Sequence, residues 1–522
     1  MNKIRGVIIP HLSRIEWEGL QEEYKIGKLI ENDLPKQIDE FKIFRNDDYY
    51  LNGKIRGRFD NYKEISCFFQ GSEIGEFIDP LNFEIKEKVP VSTTYKIKNI
   101  IGKQNNWKNQ YGNYSFEYYF AMSSIKRTIL PDPKIEWIME WFLNGPQDPT
   151  IYHEGTTHKL VQIYKKKRSY LNSEFKTEKF ACGNFDFIKI EYERKNGDEC
   201  SFVIHSVPDI YPPRWSKKIG IEYRNEWGIP EVDEREEITE IVSFLLGRKL
   251  IKVGCSKFVD DGWIAEDIAY SPNISPKIDL PGLCHSSDTP PIKLGYYHNL
   301  ISRQASNRTK SLTVQFSELV TKYLDLRDEL KLNDVLERYW LSESLPSYAR
   351  LVLLSASLEL LVQSWYQSKN SKIKGDFLSH DEFITCFKDE LDGFKDKLEK
   401  INWKNEEFSS RFLNKVMSSN QMGFNASIHF FFDEIGLEIG EIEKKAIKYR
   451  NKPAHGKVIN HEESKNLLKF EYAYKTLVNR VLLKILDYNW AYIDYYTNEY
   501  PLRGIEEPIG KKVLFRRLDL ED

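Results

Sequence analysis

The stretch Arg450-Asn451-Lys452-Pro453-Ala454-His455-Gly456 is a short polar hinge between two amphipathic segments, and how it is read decides the fold of the C-terminal part of the chain. Before it, Ile439, Ile442, Ala446 and Tyr449 recur at helical spacing, which predicts a helix over 440–450. Pro453 disfavours helical backbone at Lys452, so that helix should stop there. After it, Asn460 followed three residues on by Glu463 has the form of a capping box and starts a new helix at about His461. Leu467, Phe470, Tyr474, Leu477, Val481 and Ile485 then mark one stripe of a long last helix. His455 therefore falls in a loop between helices. An arginine at the end of one helix and a histidine just beyond it put a permanent cation and a titratable imidazole within reach of one phosphate.

Working outward, the chain reads as helical from about residue 310. In the segment that follows Pro346, Leu351, Leu354, Leu358, Leu361 and Trp365 recur at steps of three and four, the pattern of a bundle core. Residues 310–522 are therefore read as an antiparallel helical bundle. The aromatic run from Trp490 to Tyr496 is expected to pack on it. Residues 1–230 read as β-structure, since short alternating runs recur between turn signals. Ile188, Ile190 and Tyr192 alternate with Lys189, Glu191 and Glu193, and Phe116, Tyr118 and Phe120 alternate too. Asn196-Gly197 is a hairpin signal, and Asn52-Gly53 is read as a similar turn. Residues 231–309 form a mixed connecting region. It holds one helix over 234–247, with Ile238, Ile241, Val242 and Leu245 on its apolar face, and a proline-rich stretch at 271–291. The fold class is thus α+β and multidomain, with a β-rich N-terminal half followed by an all-α bundle.

A bare arginine-histidine spacing is unspecific, and Arg5 with His11 provides a second match. Requiring asparagine directly after the arginine leaves Arg450 alone. The motif Arg-Asn-x-x-x-His between two helices resembles the signature of the HEPN superfamily, specifically its Apea-like branch. In the segment SASLELLVQSW, Glu359 interrupts an apolar helix as an acidic residue does in that branch. The N-terminal half, notably LNGKIRGRFDNYKEISCFF, is similar to the ApeA N-terminal region in its order of glycine-punctuated strands.

The resemblance implies a metal-independent endoribonuclease of anti-phage, abortive-infection defence. Arg450, Asn451 and His455 would be catalytic and Glu359 supporting, with RNA as substrate and no cofactor. HEPN nucleases usually set two motifs face to face, and this chain carries one, so a homodimer is expected. The N-terminal half would answer a phage-derived or nucleic-acid trigger. The alternative is a non-catalytic HEPN module that binds nucleotides, RNA or protein.

Bottom-up chemistry leads to the same residues. Metal-free RNA cleavage needs a base for the ribose 2′-hydroxyl, an acid for the leaving 5′-oxygen and positive charge for the phosphorane. An imidazole that titrates near pH 6.5 suits the first two roles, and a guanidinium the third. The net charge of −3 excludes a global basic field. Between Gly440 and Lys457, however, six basic residues face two acidic ones, a local +4, and Lys448, Lys452 and Lys457 are candidate RNA contacts.

The six cysteines include no Cys-x-x-Cys pair, which argues against a zinc ribbon and a disulfide framework and leads us to expect a reduced, cytoplasmic protein. The opening residues lack a signal-peptide core, and no run approaches the ~18 apolar residues of a membrane span. The stretch HEGTTH sets His153 and His158 five residues apart, which on a helix takes them off a shared face, so no metal is expected there. The cluster Lys165-Lys166-Lys167-Arg168 could touch a polyanion or serve as a solvated strand edge.

Overall fold

The computed structural model describes residues 20, 24–26, 29–32, 38–59, 81–87, 93–110, 113–146, 154–168, 171–207, 217–260, 263–272, 289–293, 312–368, 377–401, 406–420, 423–450 and 461–510. They divide into two compact units. One comprises Met1–Pro290 with Leu294–Thr321, the other Pro291–Lys293 with Lys322–Asp522.

Among the described residues the first unit holds fifteen strands. These are β1 (Tyr24–Ile26), β2 (Leu29–Asn32), β3 (Ile38–Arg45), β4 (Leu51–Phe59), β5 (Leu81–Glu87), β6 (Thr93–Gln110), β7 (Asn113–Ala121) and β8 (Ser124–Thr128). There follow β9 (Trp137–Gly145), β10 (Glu154–Arg168), β11 (Leu171–Glu193), β12 (Glu199–Ser206), β13 (Lys217–Arg224), β14 (Ile251–Phe258) and β15 (Ile264–Tyr270). One hydrogen-bonded order joins them, β1-β3-β4-β7-β6-β8-β15-β14-β9-β13-β12-β11-β10, with β5 also on β6 and β2 on β5. Neighbours run antiparallel, as the hairpin-rich sequence requires.

The strand β6 holds two parts of the sheet together. Its first residues pair with β5 and β8, and from Ile101 onward it pairs with β7, with a register shift between Gly102 and Gln104. Phe41, Ile43, Leu51, Ile55, Ile97 and Phe120 form the core beneath it.

The alternation in β11 holds: Ile188, Ile190 and Tyr192 are buried, whereas Glu191 and Glu193 are exposed. The Asn196-Gly197 turn also holds, as a loop in which Gly197 takes φ +87° and Arg194 N–H donates to the Asp198 carbonyl at 2.9 Å. Asn52-Gly53, by contrast, is not a turn. Both residues lie inside β4, and the chain reverses at Asn46–Tyr50, where Tyr49 takes φ +70° and its N–H donates to the Asn46 carbonyl at 2.9 Å. Gly53 is there for a packing reason: a Cβ on it would come 2.1 Å from Cζ of Phe120.

Helix α1 (Val232–Leu246) buries Ile238, Ile241, Val242 and Leu245 and ends at Gly247 in the left-handed conformation. The strands β14 and β15 come from the region that the sequence pattern suggests is a connector, yet they are hydrogen-bonded between β9 and β8 and belong to the sheet. Most of the proline-rich stretch lies outside the described residues.

The C-terminal half is helical. Its described helices are α2 (Leu312–Leu326), α3 (Leu332–Glu343), α4 (Ser347–Gln367), α5 (His380–Cys386), α6 (Lys388–Glu399), α7 (Glu406–Met417), α8 (Phe424–Glu434), α9 (Glu441–Tyr449) and α10 (His461–Ile485). A two-stranded pair follows, β16 (Ala491–Ile493) with β17 (Leu502–Gly504), and buries Tyr492 against the helices. Leu351, Leu354, Leu358 and Leu361 of α4 are fully buried, as their spacing predicts. Helix α10 departs from a one-sided stripe. Tyr474, Leu477 and Val481 are buried, but so are Glu471, Lys475, Asn479 and Arg480 on its other faces. Each of these polar residues has a partner: Arg350 and Lys475 pair with Glu471 and Glu343, at 2.5 and 2.8 Å, the Tyr339 hydroxyl donates to Asn479 at 2.9 Å, and Arg480 pairs with Glu443.

Candidate functional site

The helix predicted over 440–450 is α9, and the one predicted to start at about His461 is α10, so the motif spans the break between them. Helix α9 is short and amphipathic. It buries Ala446 and Ile447, and its Tyr449 ring packs on Phe470 of α10 with centroids 4.7 Å apart. Lys444, Lys445 and Lys448 lie on its exposed side. Glu443 contributes nothing to the surface charge, because it is wholly buried against Arg480. Burial pushes the Glu443 carboxyl up, against the pull of that guanidinium.

Arg450 is the C-cap residue of α9, in helical conformation, and its N–H donates to the Ala446 carbonyl at 3.2 Å. Its side chain is 13% exposed and turns toward α4. There Nη1 donates to the Ser355 hydroxyl and lies 3.9 Å from Oε2 of Glu359. Ser355 and Glu359 are one helical turn apart, so a single face of α4 supplies both partners. Glu359, the supporting residue expected from the sequence, is half-exposed and within ion-pairing distance of Arg450.

Tyr474 of α10 completes the cluster from the buried side. Burial pushes its phenol up to about 12, with Ser355 and Arg450 opposing and Glu359 reinforcing the shift. The hydroxyl is therefore a neutral group throughout the physiological range. Two side chains of α4 thus hold the guanidinium at the end of α9, with Tyr474 of α10 within electrostatic range.

Asn451, Lys452, His455 and Lys457 lie outside the described residues. Sequence reasoning missed Ser355 and Tyr474. Ser355 stands four residues before Glu359, on the same face of α4, a signal that could have been used, whereas Tyr474 looks like any other member of the core stripe. Of the HEGTTH stretch, Glu154–His158 lie in β10, and His153 lies outside the described residues. No group of three or more metal-ligating side chains occurs among the described residues, and no described helix is long and apolar enough to cross a membrane.

Compared with known proteins, the sequence matches no protein-family model, no curated protein and no solved structure.

Proposed function

We propose that this protein is a metal-independent endoribonuclease of the HEPN type that acts in antiviral, abortive-infection defence. The observation that carries the reading is the anchored guanidinium: Arg450 is held by Ser355 and Glu359 at the end of α9, five residues before His455. His455 is the general acid/base for 2′-hydroxyl attack and Arg450 stabilises the phosphorane, while Asn451 orients the pair. Lys448, Lys452 and Lys457 hold the RNA backbone. A homodimer brings a second His455 into the cleft, so that base and acid are separate imidazoles.

The test is incubation with RNA in the presence of a chelator. Wild type should give products ending in cyclic phosphate and 5′-hydroxyl, His455→Ala should lose about 10²–10⁴-fold in rate, and Arg450→Ala should lose activity as well. Cleavage that requires a divalent ion, or that survives both substitutions, rules the reading out. The second reading is the non-catalytic module. The Arg450–Ser355–Glu359 contact is also what a helix end needs for stability alone. RNA or nucleotide binding without cleavage, combined with a lowered melting temperature for Arg450→Ala, would select that alternative.

A further inference from the structure

The strands β10 and β11 extend past the rest of the sheet. Gly155–Arg168 is paired with Leu171–Phe185, whereas β11 meets β12 only over Phe187–Glu193. The order ends at β10, so among the described residues this stretch is a ribbon of two strands with no third. Fourteen residues of strand, from Gly155 to Arg168, reach about 45 Å at ~3.3 Å per residue. A two-stranded ribbon of that length is marginal in water by itself, so a bound partner would stabilise it.

The composition of the ribbon points to what that is. From Gly155 to Phe185 there are seven lysines and arginines against two glutamates, a net +5 in a chain whose total is −3. Four of the seven, Lys165, Lys166, Lys167 and Arg168, are consecutive and end β10, where Arg168 is registered with Leu171. They are concentrated at the end of the ribbon. Tyr164 is registered with Phe175 just behind them.

We propose that the β10–β11 ribbon is an arm that docks in the major groove of duplex DNA, with the four consecutive cations at its end neutralising backbone phosphates. The major groove of B-form DNA is about 12 Å wide and admits a two-stranded ribbon, whereas the major groove of A-form RNA is too narrow for one. The assignment does not depend on the nuclease reading. DNA has no 2′-hydroxyl to attack, so binding is measurable whether or not the motif at Arg450 is catalytic.

The experiment is fluorescence anisotropy of a labelled duplex with the full-length protein in chelator, titrated between about 50 and 200 mM salt. Wild type should bind, and its affinity should fall steeply with salt. Changing Lys165, Lys166, Lys167 and Arg168 together to Gln should weaken binding and reduce the log–log salt slope by up to about 3.6, at ~0.9 for each phosphate no longer neutralised. Changing the three lysines to Arg instead should preserve both, which separates loss of charge from loss of fold. Absence of duplex binding by wild type overturns the proposal. So does an unchanged slope in the Gln variant, a Gln variant that loses single-stranded RNA binding more than duplex DNA binding, or equal loss of binding in the Gln and Arg variants.

Discussion

Glu443 and Arg480 are 37 positions apart in sequence, and only the packing of α9 on α10 brings them together, with both side chains fully buried. Nη2 of Arg480 also donates to the carbonyls of Glu438 and Ile505, at 3.1 and 2.8 Å, while Oε2 of Glu443 accepts the Gly440 N–H at 2.5 Å. One ion pair therefore ties the start of α9, the middle of α10 and the segment after β17. Removing one partner strands a buried charge, so Glu443→Leu or Arg480→Met should each cost about 3–5 kcal/mol. Replacing both with apolar residues, Glu443→Leu with Arg480→Met, should cost clearly less than the two single losses added together. Denaturant unfolding of the four proteins measures this, and strictly additive losses would show that the pair is not coupled. In the sequence these residues look like ordinary surface charges. Local charge counting has no means of recognising a glutamate whose partner lies on another helix.

At the scale of the element, β4 and β7 explain why a glycine stands where the sequence suggests a turn. Gly53 is registered with Phe120, whose ring occupies the space above the glycine backbone. Gly53→Val should therefore overpack the site and destabilise the first unit by about 1–3 kcal/mol. Pairing it with Phe120→Leu should recover part of the loss. Thermal unfolding decides the point, and a valine variant as stable as wild type would mean that the sheet opens there at no cost. The same pair shows what was legible. Strong alternation, as in Ile188–Tyr192, and sustained helical spacing, as in Leu351–Leu361, mark elements whose apolar face alone decides their position. Asn-Gly is ambiguous, because glycine serves both positive φ and close approach, and only the partner strand distinguishes them. Helix α10 reads as a single stripe because Glu471, Lys475, Asn479 and Arg480 are polar. Their burial depends on partners from α3, α4 and α9 that no local pattern identifies. In the candidate site the helix break at Arg450 was legible from Pro453 and the capping box, and Glu359 from its position on an apolar helix. Ser355 and Tyr474 became visible only once three helices had been brought together.

For the whole molecule, the division into units refines how the roles of the two halves can be tested. The helical unit includes Pro291–Lys293, far upstream of α3. Ile292 is fully buried, and the Ile493 N–H of β16 donates to the Pro291 carbonyl at 3.1 Å. A fragment that begins at residue 310 discards this segment, whereas one that begins at 289 keeps it. Burying one isoleucine contributes about 1.5–3 kcal/mol, so residues 289–522 should unfold at a higher denaturant concentration than residues 310–522. That difference has to be established before activity is compared, because an inactive but unfolded fragment would say nothing about control. We expect the N-terminal half to restrain the proposed nuclease and to contribute no catalytic side chain, since Arg450, His455 and their supporting residues all lie in the helical unit. Restraint needs only two conformations separated by a few kcal/mol and a trigger that prefers one of them by a similar amount. The folded 289–522 fragment should then cleave RNA at least as fast as the full chain and be the more toxic of the two on expression. If the fragment melts cooperatively and dimerises yet is inactive while the full chain cuts, the β-rich half supplies something that the chemistry requires, and this division of labour is wrong.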